Sequence, residues 1–210
     1  SMVARMFDLP SELYLAELLP RPIDVDGIHQ ARQGLRKALA QALRPQLLET
    51  FERTASRGAY EYSDAAVARR SLHNICLSYL MTLEDDEVAA LCLLQYEQAT
   101  NMTEQLAAFR GVVHSGRAEK AAVIDDFYQR WQREALVVDQ WFTAQAVAPQ
   151  ADTLQQVEKL LQQGADGAIA GTHTLLHERA TATEGWALDT RGRVALPAEA
   201  ATAFGKAQSA

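Results

Sequence analysis

The sequence lacks the marks of a secreted, membrane-spanning or nucleic-acid-binding protein. Only two of its 210 residues are cysteine, Cys76 and Cys92, too few for a disulfide framework. Both fall within helical apolar patterns, so they are expected as buried free thiols in a reducing, cytoplasmic setting. No uninterrupted apolar run approaches the ~18 residues of a membrane span. No apolar segment follows Arg5 either, so a secretory leader is not expected. Basic residues are outnumbered, 20 against 27 acidic, for a net charge of -7. Without a clustered basic patch, nucleic acid is not an expected partner, and neither is a membrane. With 48% hydrophobic and 22% charged residues the chain is also unlike a disordered one.

What is present is helical periodicity from about residue 10 to residue 163. Ser11 is placed to cap a short first helix that Pro20 and Pro22 end. Asp24 or Asp26 opens a longer helix with Ile28, Ala31, Leu35, Ala38, Leu39 and Ala42 on one face. Pro45 suits the first turn of the next, where a missing N–H is harmless, and Gly58 is expected to stop it. Ser63 opens a helix whose apolar stripe reads Val67, Ala68, Leu72, Ile75, Cys76, Tyr79 and Leu80. The acidic run Glu84-Asp85-Asp86 opens its partner, and Asn101 or Thr103 the helix after that. Val123 to Trp131, Leu136 to Phe142, and a helix capped by Asp152 complete the series. About eight helices with short connections predict an all-α fold. Antiparallel pairs would be stacked as an armadillo/HEAT-like superhelix. Ser1-Met2 resembles a cloning remainder and receives no role in this fold.

The texture changes at Gly164, so residues 1–163 are expected as the helical-repeat domain and 164–210 as a divergent tail. Six of eleven glycines fall in those last 47 residues. Trp186-Ala187-Leu188 and Val194-Ala195-Leu196 flank a turn-like Asp189 to Gly192 and carry a weak hairpin signal. Pro197 to Phe204 could form a closing helix.

Several blocks, in order, resemble the aminopeptidase N family of bacterial and plastid type. Leu9-Pro10-Ser11 with Leu15-Ala16-Glu17 opens the series, followed by Ile23-Asp24 and the helix from Ile28. Arg70-Ser71-Leu72-His73-Asn74-Ile75-Cys76-Leu77 is similar to the family's "R-x-L-x-N-x-C-L". Ala99-Thr100-Asn101-Met102-Thr103 with Leu106-Ala107-Ala108 is similar to its "A-x-N-M-T-x-x-L-A-A" block. Phe127-Tyr128-Gln129-Arg130-Trp131 and Leu136 to Ala146 complete the set. The resemblance covers about residues 8 to 163. It implies the all-helical C-terminal domain, which in the complete zinc metallopeptidase caps the catalytic domain and limits entry of peptide substrates. The implied partners are that catalytic domain and the peptides the enzyme trims. The implied cofactor is zinc, held by the enzyme and not by this chain. After Leu160-Leu161-Gln162 the family continues with an "N-P-N-R" helix start, whereas this sequence reads Gln163-Gly164-Ala165-Asp166.

Candidate chemistry is thin. A peptidase of this class needs H-E-x-x-H, with both histidines on zinc and the glutamate activating water. The nearest string, His173-Thr174-Leu175-Leu176-His177, has the spacing but carries Thr174 where the base should be. His173 and His177 are therefore expected at most as an adventitious metal pair. The family's "G-x-M-E-N" is absent, so no catalytic residue is assigned and the chain alone is expected to be inactive. His73 is expected as a hydrogen-bonded structural histidine. His29 and His114 are expected as unpartnered surface residues. Phe127, Trp131, Trp141 and Phe142 read as core between successive helices rather than a ligand platform. Arg69-Arg70 read as a solvated face or as partners of Asp85-Asp86. Cys76 and Cys92 have no neighbouring base to activate a thiolate. A different reading of the same helices is a stand-alone interaction module, prone to self-association through exposed apolar surface.

Overall fold

The computed structural model describes residues 2–56 and 58–160, and the backbone of residues 161–163, 187–188 and 194–195. Among these residues the fold is helical apart from one minimal strand pair. The helices are α1 (Met2–Met6), α2 (Glu12–Glu17), α3 (Val25–Ala42), α4 (Arg44–Thr54), α5 (Asp64–Leu80), α6 (Asp86–Gln98), α7 (Met102–His114), α8 (Lys120–Trp131), α9 (Ala135–Ala146) and α10 (Thr153–Gln163). A single 3-10 turn, Met81–Leu83, follows α5. The strands β1 (Ala187–Leu188) and β2 (Val194–Ala195) pair antiparallel, Ala187 opposite Ala195 and Leu188 opposite Val194. The expected closing helix over 197–204 lies outside the described residues.

Helix starts follow side-chain capping, because the first N–H groups of a helix have no partner within it. The Ser11 hydroxyl accepts from the Tyr14 amide, Asp24 from Gly27, Ser63 from Ala66, and Asn101 from Glu104. Asp85 accepts from both Glu87 and Val88. Pro45 sits in the first turn of α4 as its chemistry requires. At Gly27 the absence of a side chain matters, since a Cβ there would collide with the Asp24 carboxylate that caps the helix. The end of α4 differs from expectation. It stops at Thr54, four residues before Gly58, where Ala55 turns extended and the Thr54 hydroxyl donates back to the Thr50 carbonyl.

The described residues fall into two units that divide after Lys120. In the first, α4 and α5 run antiparallel, since Thr54 at the end of α4 meets His73. Arg44, at the other end of α4, meets Asp85, just beyond α5. Helices α6 and α7 are antiparallel too, with Cys92 Sγ donating to the Ala108 carbonyl and Gln105 Nε2 to that of Tyr96. Leu80, Val88, Cys92, Phe109 and Val113 are fully buried at this centre. The unassigned N-terminus forms α1 because Tyr79 holds it. The Tyr79 hydroxyl donates to the Phe7 carbonyl at 2.6 Å, and the two rings meet edge to face.

The inward face of α5 is rotated from the stripe read in the sequence. Of the expected stripe, Cys76, Tyr79 and Leu80 are buried, Ala68, Leu72 and Ile75 are half-buried and Val67 is exposed, while Ala66, Arg70, His73 and Leu77 are also buried. Two of the seven buried residues, Arg70 and His73, are polar, so an apolar count alone misses part of the buried face. In the second unit Phe127, Val138, Trp141 and Phe142 are core. Trp141 Nε1 donates to the Ile124 carbonyl at 2.9 Å, and its ring packs against Tyr128 and Phe142. Trp131 is half-buried. Among the described residues no helix is long and apolar enough to cross a membrane.

Candidate functional site

The polar residues of the sequence motifs converge on one place, between α4, α5, α6 and α7. His73 is only 4% exposed. Its Nδ1 lies 2.9 Å from the Phe51 carbonyl and 3.2 Å from the Thr54 hydroxyl, and its ring stacks on Phe51 at 4.1 Å. A carbonyl can only accept, so Nδ1 carries the proton in the neutral ring. Burial pulls the His73 pKa below its usual value, against the Phe51 carbonyl, the nearby Glu104 charge and the Gln95 side chain, which raise it.

Glu104, also 4% exposed, is a buried carboxylate whose two oxygens are both used. Ser56 donates to Oε1 at 2.6 Å and Asn101 Nδ2 to Oε2 at 2.8 Å, while Asn101 Oδ1 caps the Glu104 amide. This is a variant of the capping box, with glutamate three residues after the cap and reaching back to it. Gln95 Nε2 donates to the Glu104 carbonyl and to Asn74 Oδ1, and Asn74 Nδ2 donates to the Thr103 carbonyl. Gln95 Oε1 is buried without a hydrogen-bond partner among the described residues. Arg70, 4% exposed, donates to the Glu61 carbonyl at 3.0 Å and lies over the Tyr60 ring.

The arrangement binds helices together rather than presenting a reactive group. His73 donates its Nδ1 proton to a carbonyl rather than a carboxylate, the Thr54 hydroxyl beside it donates to the Thr50 carbonyl, and buried charges are tolerated only when hydrogen-bonded as Glu104 and Arg70 are. The expected structural role of His73 is thus what the geometry supports. Arg70 departs from expectation: it is neither solvated nor paired with Asp85-Asp86. Asp85 pairs with Arg44 at 2.6 Å and Asp86 with Arg117 at 2.5 Å. His29 is not unpartnered, since its Nδ1 lies 2.9 Å from Glu12 Oε1, and His114 is engaged as well. Sequence reasoning missed Glu104, Ser56 and Gln95. The spacing Asn101-x-x-Glu104 was the available signal for the first.

Cys76 and Cys92 are buried free thiols, pushed up to about 11 and about 12 by burial. Neither is a nucleophile at neutral pH. His173 and His177 lie outside the described residues. Among the described residues no three His, Cys, Asp or Glu side chains are grouped so as to hold a metal.

Residues 1–165 match the family described as "Domain of unknown function (DUF3458_C) ARM repeats". The chain is 32% identical over 162 residues to aminopeptidase N of Escherichia coli K12, covering 77% of this chain and 18% of that protein. Against aminopeptidase N of Haemophilus influenzae the identity is 31% over 153 residues, covering 73% and 17%. A crystal structure of Legionella pneumophila aminopeptidase A in complex with aspartic acid is similar with a TM-score of 0.67 and 26% identity, covering 86% of this chain and 21% of that one. The chain thus spans about a fifth of the length of the relatives it matches. The chain belongs to the DUF3458_C family of ARM-repeat domains and resembles the C-terminal helical domain of aminopeptidase N.

Proposed function

We propose that this chain acts as the non-catalytic helical cap of a zinc-dependent aminopeptidase N, covering the active site and limiting which peptides reach it. The observation that carries this reading is the match of residues 1–165 to one domain of relatives about five times longer. The chemistry agrees, because the motif side chains Arg70, His73, Asn74 and Asn101 are engaged in packing and none is left to react. On this reading zinc and the hydrolytic step belong to the catalytic domain, the partner is that domain, and the setting is cytoplasmic. The exposed Leu13 and Tyr14 of α2 and Leu18 just after it are then surface that another part of the enzyme covers.

The test has two arms. The purified chain, with and without added zinc, is assayed on aminoacyl p-nitroanilides, and no turnover is expected. The chain is then mixed with an aminopeptidase N lacking its C-terminal region, and association with a shift toward shorter preferred peptides is expected. Zinc-dependent turnover by the chain alone would overturn the reading, as would failure to associate. Concentration-dependent self-association through α2 with no affinity for the enzyme would favour a stand-alone interaction module instead.

A further inference from the structure

Within the buried network of α4, α5, α6 and α7, one oxygen is left over. Gln95 Nε2 has two hydrogens and both are spent, on Asn74 Oδ1 at 3.1 Å and on the Glu104 carbonyl at 2.9 Å. The amide cannot turn over without setting its oxygen against those two acceptors. Gln95 Oε1 is therefore fixed in place, buried, and without a hydrogen-bond partner among the described residues. An acceptor in that position is costly to leave without a donor.

The side chain that faces it is His73, whose imidazole lies within hydrogen-bonding reach of Gln95. Nδ1 of that ring is already taken, 2.9 Å from the Phe51 carbonyl and 3.2 Å from the Thr54 hydroxyl. The hydroxyl gives its own hydrogen to the Thr50 carbonyl at 2.6 Å, so towards the ring it accepts. Nδ1 thus carries a hydrogen on two counts. The nitrogen left for Gln95 is Nε2, and the atom of Gln95 left for it is Oε1. In the neutral ring Nε2 presents a lone pair, so two acceptors face each other. Only the imidazolium, with a hydrogen on each nitrogen, satisfies Phe51 and Gln95 together.

We propose that His73 is a proton-operated joint: the neutral ring bonds α4 alone, and the protonated ring also bonds Gln95 of α6. On protonation Nε2–H donates to Gln95 Oε1, a charge-assisted hydrogen bond. Gln95 in turn donates to the Glu104 carbonyl, so the change is passed to α7. Among the described residues, Glu104 on α7 favours the proton and Arg69 on α5 itself opposes it. Helix α4 faces the ring with Phe51 and Thr54, and α6 faces it with Gln95, all uncharged. Burial opposes the charge and places the midpoint below the usual histidine value. The joint therefore works on the acid side of neutrality. It works in the same way whether or not the chain caps a peptidase.

The experiment labels the histidines of the full chain with nitrogen-15 and follows the imidazole signals by NMR from about pH 8 to about pH 4.5, a range that spans the histidine titration. Above its midpoint His73 should carry its hydrogen on Nδ1, with Nε2 bare. Below the midpoint an Nε2–H signal should appear and exchange slowly with water. His29, exposed on α3, is the internal reference, whose Nε2–H in acid should exchange fast. Gln95→Leu removes the acceptor and should lower the His73 midpoint by about one pH unit. Gln95→Glu keeps the shape, adds a negative charge and should raise it. Should Gln95→Leu fail to fold, the spectra of the unaltered chain and of Gln95→Glu decide the matter. A neutral ring with its hydrogen on Nε2, or an Nε2–H that exchanges as fast as that of His29, would overturn the joint. So would a His73 that stays neutral throughout, or a midpoint unmoved by both substitutions.

Discussion

His73 Nδ1 lies 2.9 Å from the main-chain oxygen of Phe51, the residue whose ring stacks on the imidazole. One α4 residue thus fixes both the plane of the ring and the nitrogen that carries its proton. Burial makes the charged form unfavourable and lowers the His73 pKa from its usual 6.5. A histidine with a depressed folded-state pKa binds its proton more readily when unfolded, so its contribution is complete above about 6.5 and is lost as the pH falls toward the folded value. Urea unfolding at pH 7.5 and pH 5.0 should show the chain weaker in acid. His73→Gln should remove part of that pH dependence, and an unchanged dependence in the variant would remove His73 as its cause.

Truncation of the buried carboxylate should be more damaging than its neutralisation. Glu104→Ala leaves Ser56 and Asn101 Nδ2 unpartnered and empties buried volume, for a loss of about 2–4 kcal/mol. Glu104→Gln keeps shape and one acceptor, and should lose less. Denaturant midpoints of the two variants, measured with the m-value, rank them.

Gly27→Ala is expected to destabilise α3, although alanine ordinarily favours a helix. The added Cβ meets the Asp24 carboxylate that accepts from the Gly27 amide, so the cap must move or break, a loss of about 1 kcal/mol. Gly34→Ala, where a Cβ meets nothing within 4 Å, should instead stabilise by about 0.5–1 kcal/mol. Thermal melts of the pair decide it, since opposite signs are expected.

In the second unit, Trp141→Phe keeps much of the ring but loses the N–H donated to the Ile124 carbonyl. That leaves a carbonyl short of a partner and a gap beside Tyr128, for about 1–3 kcal/mol. Leu136→Ala, 81% exposed, should stay within about 0.5 kcal/mol. Comparable losses at both sites would contradict the assigned core.

Both thiols should resist modification until the chain unfolds. Cys76 and Cys92 are buried and pushed up to about 11 and about 12, so the thiolate that reacts is scarce at neutral pH. Labelling with a disulfide reagent should be slow in buffer and fast, with two equivalents, in 8 M urea. Rapid native labelling of either one would show that its helix opens locally.

Much of the helical order could be read in advance because it rests on local chemistry. Ser11, Asp24, Ser63, Asp85 and Asn101 each act within three residues of themselves, and Pro45 acts through its own missing N–H. Less legible was the face of α5. Arg70 and His73 are polar, and only partners at Glu61, Phe51 and Thr54, 9 to 22 positions away, make their burial tolerable. Helix α1 was not legible at all, because its anchor is the Tyr79 hydroxyl 72 residues on from Phe7.

The amino-acid sequence by itself determined the helical class, the caps and the family, because periodicity, capping and motif order are properties of neighbouring residues. Tertiary structure alone decided what the motif residues do. Asn74, Gln95, Asn101 and Glu104 come together only when α5, α6 and α7 pack, and a buried polar group takes its role from the partner that satisfies it.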